Sequence, residues 1–329
     1  MSLNFNFNFT QPSQNKAKLN PEIIHDFLVI GGGPAGFNAT LYAKRKGLVT
    51  GMIAKRIGGQ LLNTSSVDNY LGIKDISGEG LMEQFLDHIH QLEVPILEEV
   101  EVTRVEKVND LFEITVNNQT VFKSKTAMIA TGSNPRKLGV EGEQEYSNRG
   151  VAYCAICDAP LFANKEVIIA GGGNSAVEAA IDVAKVASKV TVVHRSEFRA
   201  DQILLDQMMS NPNITVFKQT QILRIVGDVK MTGIEVLDKS SNETRMINAD
   251  GIFIEIGNIP SSDLFSDLVQ LNEQREIVVD SKNMTSVPGL FAAGDVTQVA
   301  YKQIIISVAD GAKAALAANE YINHHNTSK

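Results

Sequence analysis

The sequence predicts an α/β fold of two parallel-sheet domains, the second inserted into the first, on three observations. A short apolar run, a glycine cluster and a helical pattern follow one another from Asp26 to Lys46, and the same succession returns about 140 residues later from Glu166 to Ala187. Apolar strand-like runs stand before the second copy and again after its own strands, so the second copy interrupts the first. The length of 329 residues also exceeds the roughly 250 at which a single core stops growing.

Taken in order, residues 1–22 alternate Asn with Phe and then run through Gln, Pro, Ser and Lys without helical periodicity, which is expected to be a mobile arm. Asp26 to Ile30 ends at glycines, as buried parallel strands do, and feeds a helix from Pro34 to Lys46. Thr50 to Ala54 is the next strand. β-rich stretches lie around Glu101 to Val105 and Leu111 to Phe122, and the apolar strand Ala127 to Ala130 stops at Thr131-Gly132. The second copy opens with Glu166 to Ala170, turns at Gly171 to Gly173 and continues as a helix over Ser175 to Ala187. Thr191 to Val193, Ile214 to Phe217 and Gly251 to Ile256 follow as strands. Ile277 to Asp280 and Leu290 to Ala293 lead into Gly294-Asp295, and a last helix runs from about Gln303 to Asn323. The first domain is therefore expected over 23–137 and 258–329, with 138–257 inserted.

A content of 43% hydrophobic and 21% charged residues is that of a folded globular protein. A net charge of -8 disfavours nucleic acid and anionic membranes as partners. No apolar run approaches the roughly 20 residues of a membrane span, and the start lacks the apolar segment of a secretory signal, so a cytoplasmic protein is expected. The six histidines form no cluster, and no metal site is expected.

Gly31-Gly32-Gly33-Pro34-Ala35-Gly36 fits G-x-G-x-x-G between a strand and a helix, where backbone amides and the helix dipole meet a pyrophosphate; a plain glycine-rich turn is the alternative. No acid stands about 20 residues on. Gly171 to Ala176 repeats the motif as G-x-G-x-x-A, and the basic residues His194, Arg195 and Arg199 at the following strand end suit a 2′-phosphate, unless they are solvated surface charges. Cys154-Ala155-Ile156-Cys157 is a C-x-x-C, a spacing at which two sulfurs reach disulfide distance within one turn. Zinc needs about four ligands and an inert disulfide over so short a loop stabilises little, which leaves a redox pair as the main reading. Asp158, next to the pair, either hands a proton to a leaving thiolate or caps a helix start.

Two dinucleotide motifs around C-x-x-C-D, with Gly294-Asp295 near the end, resemble the low-molecular-weight thioredoxin reductases and the reductase core of the alkyl hydroperoxide reductase flavoprotein. The likeness runs from about Asp26 to Ile322 through GGGPAG at 31–36, GGQL at 58–61, NYLG at 69–72, ATG at 130–132, CAICD at 154–158, GGGNSAVEAA at 171–180, TSVPGLFAAGD at 285–295 and YKQIII at 301–306. The resemblance implies two Rossmann-like dinucleotide-binding domains. The first holds FAD at Gly31, Gly33, Pro34, Ala35 and Gly36, with Gly59, Gln60, Asn69, Thr131 and Gly132 around it, Asp295 on the ribitol and Gln303-Ile304 over the flavin ring. The second holds NADPH, or NADH, at Gly171, Gly173, Asn174, Ser175 and Ala176. It further implies that Cys157 faces the flavin, that Cys154 attacks thioredoxin or a thioredoxin-like protein, and that the chain is a homodimer.

The sequence departs from the pattern at His194-Arg195-Ser196, where thioredoxin reductases carry two arginines after the histidine and the hydroperoxide reductase flavoprotein carries an acid. A modest preference for NADPH over NADH follows. No thioredoxin-like domain precedes the core, so the acceptor is expected to be a separate chain. Three alternatives stay open: a reductase feeding a peroxiredoxin through a thioredoxin-like carrier, a ferredoxin-linked enzyme, and a non-catalytic flavin redox sensor.

Overall fold

The computed structural model describes residues 18–64, 66–117 and 119–326. The arm expected over 1–22 lies outside the described residues as far as residue 17; Leu19, inside that range, is buried against Gly51. Among the described residues no helix is long and apolar enough to cross a membrane.

The chain opens with β1 (Ile24–Gly32), α1 (Pro34–Arg45) and β2 (Thr50–Ile57), then α2 (Gly78–Gln91) and β3 (Ile96–Glu98). A meander follows in β4 (Val102–Val108), β5 (Leu111–Val116) and β6 (Thr120–Ile129). The stretch read as Leu111 to Phe122 is thus two strands, broken where Asn117 takes a left-handed turn conformation with φ 49°. After β7 (Ser133–Pro135) come β8 (Val151–Ala152), α3 (Ala155–Asp158), β9 (Glu166–Ala170), α4 (Asn174–Val183), β10 (Lys189–Val193), α5 (Gln202–Met209) and β11 (Ile214–Phe217). Then follow β12 (Thr220–Gly227), β13 (Met231–Asp238), β14 (Glu243–Asn248), β15 (Gly251–Ile254) and β16 (Asn258–Pro260). The chain closes with β17 (Leu290–Ala292) and α6 (Ile304–Asn326). Ile277 to Asp280 forms no strand, and Ile277 makes only isolated bridges to Leu271 and Thr297.

These elements divide into two compact units. One comprises the described parts of Met1–Gly59, Met82–Gly132 and Ser262–Lys329; the other comprises Gln60–Leu81 and Ser133–Ser261. The segment Gln60–Leu81, which lies in the range read as the first domain, groups with the second unit. β7 and β16, where the chain enters and leaves the inserted stretch, pair antiparallel from Ser133↔Pro260 to Pro135↔Asn258.

In the first unit the sheet order is β3-β2-β1-β6-β5-β4, with β17 also paired to β6. The first half of β6 pairs antiparallel with β5, and its second half, Ala127 to Ile129, pairs parallel with β17. β1 is central, which is why Phe27 to Ile30 is apolar and buried without alternation. One face carries Leu28, Ile30, Phe112, Ile114 and Leu290; on the other, alanines of α1 (Ala35, Ala39, Ala43) and α6 (Ala314, Ala315, Ala318) let those helices approach closely.

In the second unit five parallel strands run β11-β10-β9-β15-β8, and β12-β13-β14 forms a separate antiparallel sheet. β9 is flanked by β10 and β15, so the strand order reverses at its carboxyl end, just as it does at β1 between β2 and β6. In doubly wound sheets ligand crevices open at such points.

Candidate functional site

Both glycine loops leave their central strand at this reversal. At the first, a Cβ on Gly31 would overlap the carbonyl oxygen of Ala130, whose own amide donates to Ile30 O at 2.7 Å. At the second, a Cβ on Gly171 would overlap the carbonyl oxygen of Glu255, whose amide donates to Ala170 O at 2.8 Å. Glycine is required at each turn because the backbone passes directly over the neighbouring strand's end. Gly33 and Gly173 take the N-cap positions of α1 and α4 without a side-chain capping bond, and nothing lies within 4 Å of where their Cβ atoms would stand. Neither helix start is closed by a capping side chain, and the space beside each N-cap glycine is open, as a bound phosphate requires.

Around the first loop, Gly59 lies against Gly33, with 3.5 Å from its Cβ position to the Gly33 Cα. Pro34 and Ala35 open α1, and the Gly294 turn packs against Ala35 and Ser307. Ser307 Oγ donates to Asp295 Oδ1 at 3.3 Å, and Gln303 and Ile304 stand at the start of α6, where the Gln303 carbonyl accepts the Ser307 amide at 2.9 Å. Thr131 and Gly132 follow directly on Ala130. Loop, Asp295 turn and α6 start are thus brought together within one unit. Gln60 and Asn69 group with the other unit, where Gln60 Nε2 donates to Ser133 Oγ at 3.4 Å.

In the second loop Ala176 is buried beside Gly171, Ser175 is exposed, and Asn174 fixes the next segment by accepting the Asp201 amide at 2.9 Å and donating to Asp201 Oδ2 at 3.0 Å. The Arg199 amide donates to Gly172 O at 2.8 Å, which draws the 194–199 loop over the glycines. His194 is buried against Gly172, with Nε2 3.1 Å from the Glu197 carbonyl and 3.1 Å from Ser196 Oγ. Burial lowers its pKa, and Arg199 and Arg195 add to the shift, so it is neutral at neutral pH. The positive charge facing solvent comes from Arg195 and Arg199, both exposed; Lys239 Nζ donates to the Arg195 carbonyl at 3.2 Å.

Cys154 and Cys157 form a disulfide with Cα atoms 5.3 Å apart. Cys154 leaves β8 in an extended conformation as the N-cap of α3, and its Sγ accepts the Cys157 amide at 3.3 Å. Between them Ile156 is 66% exposed. Asp158 ends the helix and its side chain makes no capping bond to the 3₁₀ turn that follows, Ala159–Phe162. Burial raises its carboxyl from 3.8 to about 6, the range of a group that exchanges protons near neutral pH.

Sequence reasoning passed over Glu255. Its Oε1 accepts the Ala155 amide at 3.1 Å, and burial pushes it up to about 7 against that bond. The signal was available: Gly251 to Ile256 is an apolar run broken by one acid, at the carboxyl end of a parallel strand where ligand sites gather.

The raised pKa of Asp158 predicts a pH dependence of stability. Folding favours its protonated form, so the native state is unpenalised below about pH 4, loses stability as pH rises through about 6, and is penalised by at most on the order of 3 kcal/mol above that. Asp158→Asn should therefore gain stability relative to wild type between pH 4 and 7, read as urea midpoints; parallel curves across that range would contradict it.

A family model described as pyridine nucleotide-disulphide oxidoreductase matches residues 25–311. The thioredoxin reductase of Streptococcus pyogenes MGAS5005 superposes with a TM-score of 0.87 at 35% identity, covering 92% of this chain and 99% of that one. The thioredoxin reductase of T. acidophilum superposes at 0.63 with 38% identity, covering 91% and 98%. An NADH dehydrogenase of Bacillus subtilis (strain 168) is 44% identical over 298 residues, 90% of this chain and 58% of its own length. An alkyl hydroperoxide reductase protein of Staphylococcus aureus (strain N315) is 44% identical over 299 residues, 91% of this chain and 59% of its own. The chain thus spans under two thirds of these last two relatives.

Proposed function

We infer that this chain, which belongs to the pyridine nucleotide-disulphide oxidoreductase family, is an FAD-dependent disulfide reductase that passes electrons from NADPH through Cys154 and Cys157 to thioredoxin or a thioredoxin-like protein. The observation that carries this reading is the redox pair: a disulfide closed within one turn, beside the exposed Ile156, on a unit that has its own phosphate-type glycine loop.

FAD fits the first loop, where α1 has no capping side chain, the space beside Gly33 is open and Asp295 is fixed by Ser307 beside the start of α6. The nicotinamide nucleotide fits the second, with Arg195 and Arg199 at the adenosine phosphate and Gly173 to Ala176 at the pyrophosphate. When bound, the flavin supplies two-electron transfer between nicotinamide and disulfide. The chain's own residues do the rest. Once reduced, Cys154 as thiolate attacks one sulfur of the carrier's disulfide, and a new S–S bond forms as the carrier's second sulfur leaves. Asp158 supplies a proton to that leaving thiolate. Cys157 then attacks the Cys154 sulfur, which restores the intrachain disulfide and releases the carrier with both thiols reduced.

A second reading is favoured by the 44% identity to the staphylococcal alkyl hydroperoxide reductase protein. It keeps this chemistry but takes NADH and serves a carrier that reduces a peroxiredoxin.

The purified protein should be yellow with one non-covalent FAD. Cys154→Ser and Cys157→Ser should each abolish turnover with a thioredoxin-like acceptor while leaving reduction of the bound flavin by nucleotide intact in stopped flow. Only Cys157→Ser should accumulate a mixed disulfide with the carrier on a non-reducing gel; its accumulation in Cys154→Ser instead would reverse the two roles.

The donor is tested separately. A charge-assisted bond contributes about 1.5 to 3 kcal/mol, so Arg195→Ala should raise the KM for NADPH roughly ten- to a hundredfold and leave that for NADH nearly unchanged. Equal losses for both nucleotides would remove Arg195 from the 2′-phosphate, and a wild type that favours NADH would select the second reading.

A further inference from the structure

Glu255 is a half-buried acid that the proposed reaction leaves without a role. It is the first residue past β15, and three parts of it reach three parts of the unit. Its amide is bonded to Ala170 O, its carbonyl lies against Gly171, and its carboxyl oxygen accepts the Ala155 amide at 3.1 Å. Ala155 opens the disulfide helix directly after Cys154. Two amides of that first turn are thus engaged: the one of Cys157 goes to the Cys154 sulfur, and the one of Ala155 goes to Glu255. At the corresponding place in the first unit, where the amide of the residue past β6 is bonded to Ile30 O and its carbonyl lies against Gly31, stands Ala130, which has no such group.

We propose that Glu255 is a positioning residue of the redox pair: its carboxyl group ties the first turn of the disulfide helix to the strand end that seats the second glycine loop, and its charge governs how readily Cys154 carries a negative charge once the disulfide is open. This rests on the reading of Cys154 and Cys157 as the working pair.

The physical argument has two parts. A hydrogen bond from an orphan first-turn amide fixes the helix start, so the residue after Cys154 cannot drift. Reduction of the disulfide by two electrons yields two sulfurs, which take two protons as thiols, or one proton with one sulfur left as thiolate. A carboxylate bonded to the amide of the residue after Cys154 opposes that thiolate and so makes the reduced state less stable, whereas the neutral acid does not. Burial of Glu255 moves this switch to about pH 7. The other titratable groups on the elements meeting it are Cys154, Cys157 and Asp158 on the disulfide turn, and Glu166, exposed at the opposite end of β9 from Ala170. Tyr153, which follows β8, is bonded through its hydroxyl to Glu143, and α4, packed on α3, turns Glu178 and Asp182 to solvent.

The test uses the FAD-loaded full chain and needs neither nucleotide nor carrier, so its outcome is independent of whether the proposed donor and acceptor are right. Wild type, Glu255→Gln and Glu255→Ala are equilibrated with mixtures of reduced and oxidised dithiothreitol between pH 6 and 9, and the protein thiols are counted by alkylation and mass. In each exchange the reagent's two thiols close to a disulfide as the protein's disulfide opens to two thiols. Glutamine keeps an acceptor for the Ala155 amide but cannot ionise. Glu255→Gln should therefore match wild type at pH 6 and be about tenfold more easily reduced at pH 9, or about 30 mV for the two-electron couple. Its thiolate absorbance should also appear at lower pH. Glu255→Ala, which loses the acceptor as well, should differ from wild type already at pH 6. Coincident curves for wild type and Glu255→Gln, or an offset independent of pH, would overturn the electrostatic role, and an unchanged Glu255→Ala at pH 6 would overturn the tether. If the alanine variant does not fold, Glu255→Gln decides alone.

Discussion

Two backbone contacts govern the chemistry of this molecule: a glycine laid over the carbonyl of the first residue past a neighbouring strand. Gly31 does this to Ala130 and Gly171 does it to Glu255. Any side chain would force the turn outward and carry the following helix with it. Because the turn is so tight, each helix begins immediately, with a glycine N-cap that offers its amides no side-chain partner. An anion-accepting helix start is thus a consequence of how closely strand and helix pack, and the phosphate affinity needs no charged residue of its own.

In the second unit the same strand end serves a further purpose. β8 lies beside β15 in the sheet, and the two residues after it deliver Cys154 to the helix that bonds Glu255. The cysteine pair and the glycine loop are therefore held by one short stretch of backbone, which gives the disulfide a defined place relative to the loop inside a single sheet. The two half-buried acids near it, Asp158 and Glu255, are both raised toward neutral pH by loss of water and not by a charged neighbour. Such groups change charge in the range where thiols change charge, which distinguishes this corner of the sheet from the ion pairs elsewhere on the surface.

How much of this was legible in the sequence follows from how local each cause is. The glycine motifs, the strands Asp26 to Ile30 and Glu166 to Ala170 and the C-x-x-C were legible because a central parallel strand is apolar throughout and the turn after it tolerates only glycine. The helix α2 has only a sparse signal, Leu81, Phe85 and Ile89 recurring at four-residue spacing. In the meander β12-β13-β14, β14 lies at the edge and is mostly exposed, so its sequence, Glu243 to Asn248, carries little apolar signal. Ile277 reads as a strand because it is fully buried and β-branched, yet its backbone meets partners only singly. Gln60 and Asn69 were read from a resemblance, and sequence alone holds nothing about which compact unit such a loop joins. Glu255 is legible as the one acid in an apolar run, but its bond to the Ala155 amide, across 100 residues, is not.

The loop 194–199 shows the limit of reading charge from residue type. His194, Arg195 and Arg199 look like a cluster of three cations, but only a side chain that faces water keeps its charge at low cost. His194 is the first residue past β10 and points inward against Gly172, where its Nε2 stands 3.1 Å from both the Glu197 carbonyl and Ser196 Oγ. The two arginines then push the same way as burial, against a second proton. A neutral ring that props the loop, with two exposed guanidinium groups beyond it, is a weaker site for a dianionic phosphate than three cations would be. Glu197 is held by Lys218 at 3.4 Å and Gln219 at 3.0 Å, so its negative charge is partly balanced within the loop. The positions of the two arginines in the loop are set by the bond from the Lys239 side chain to the Arg195 carbonyl and by the backbone bond from the Arg199 amide to Gly172 O.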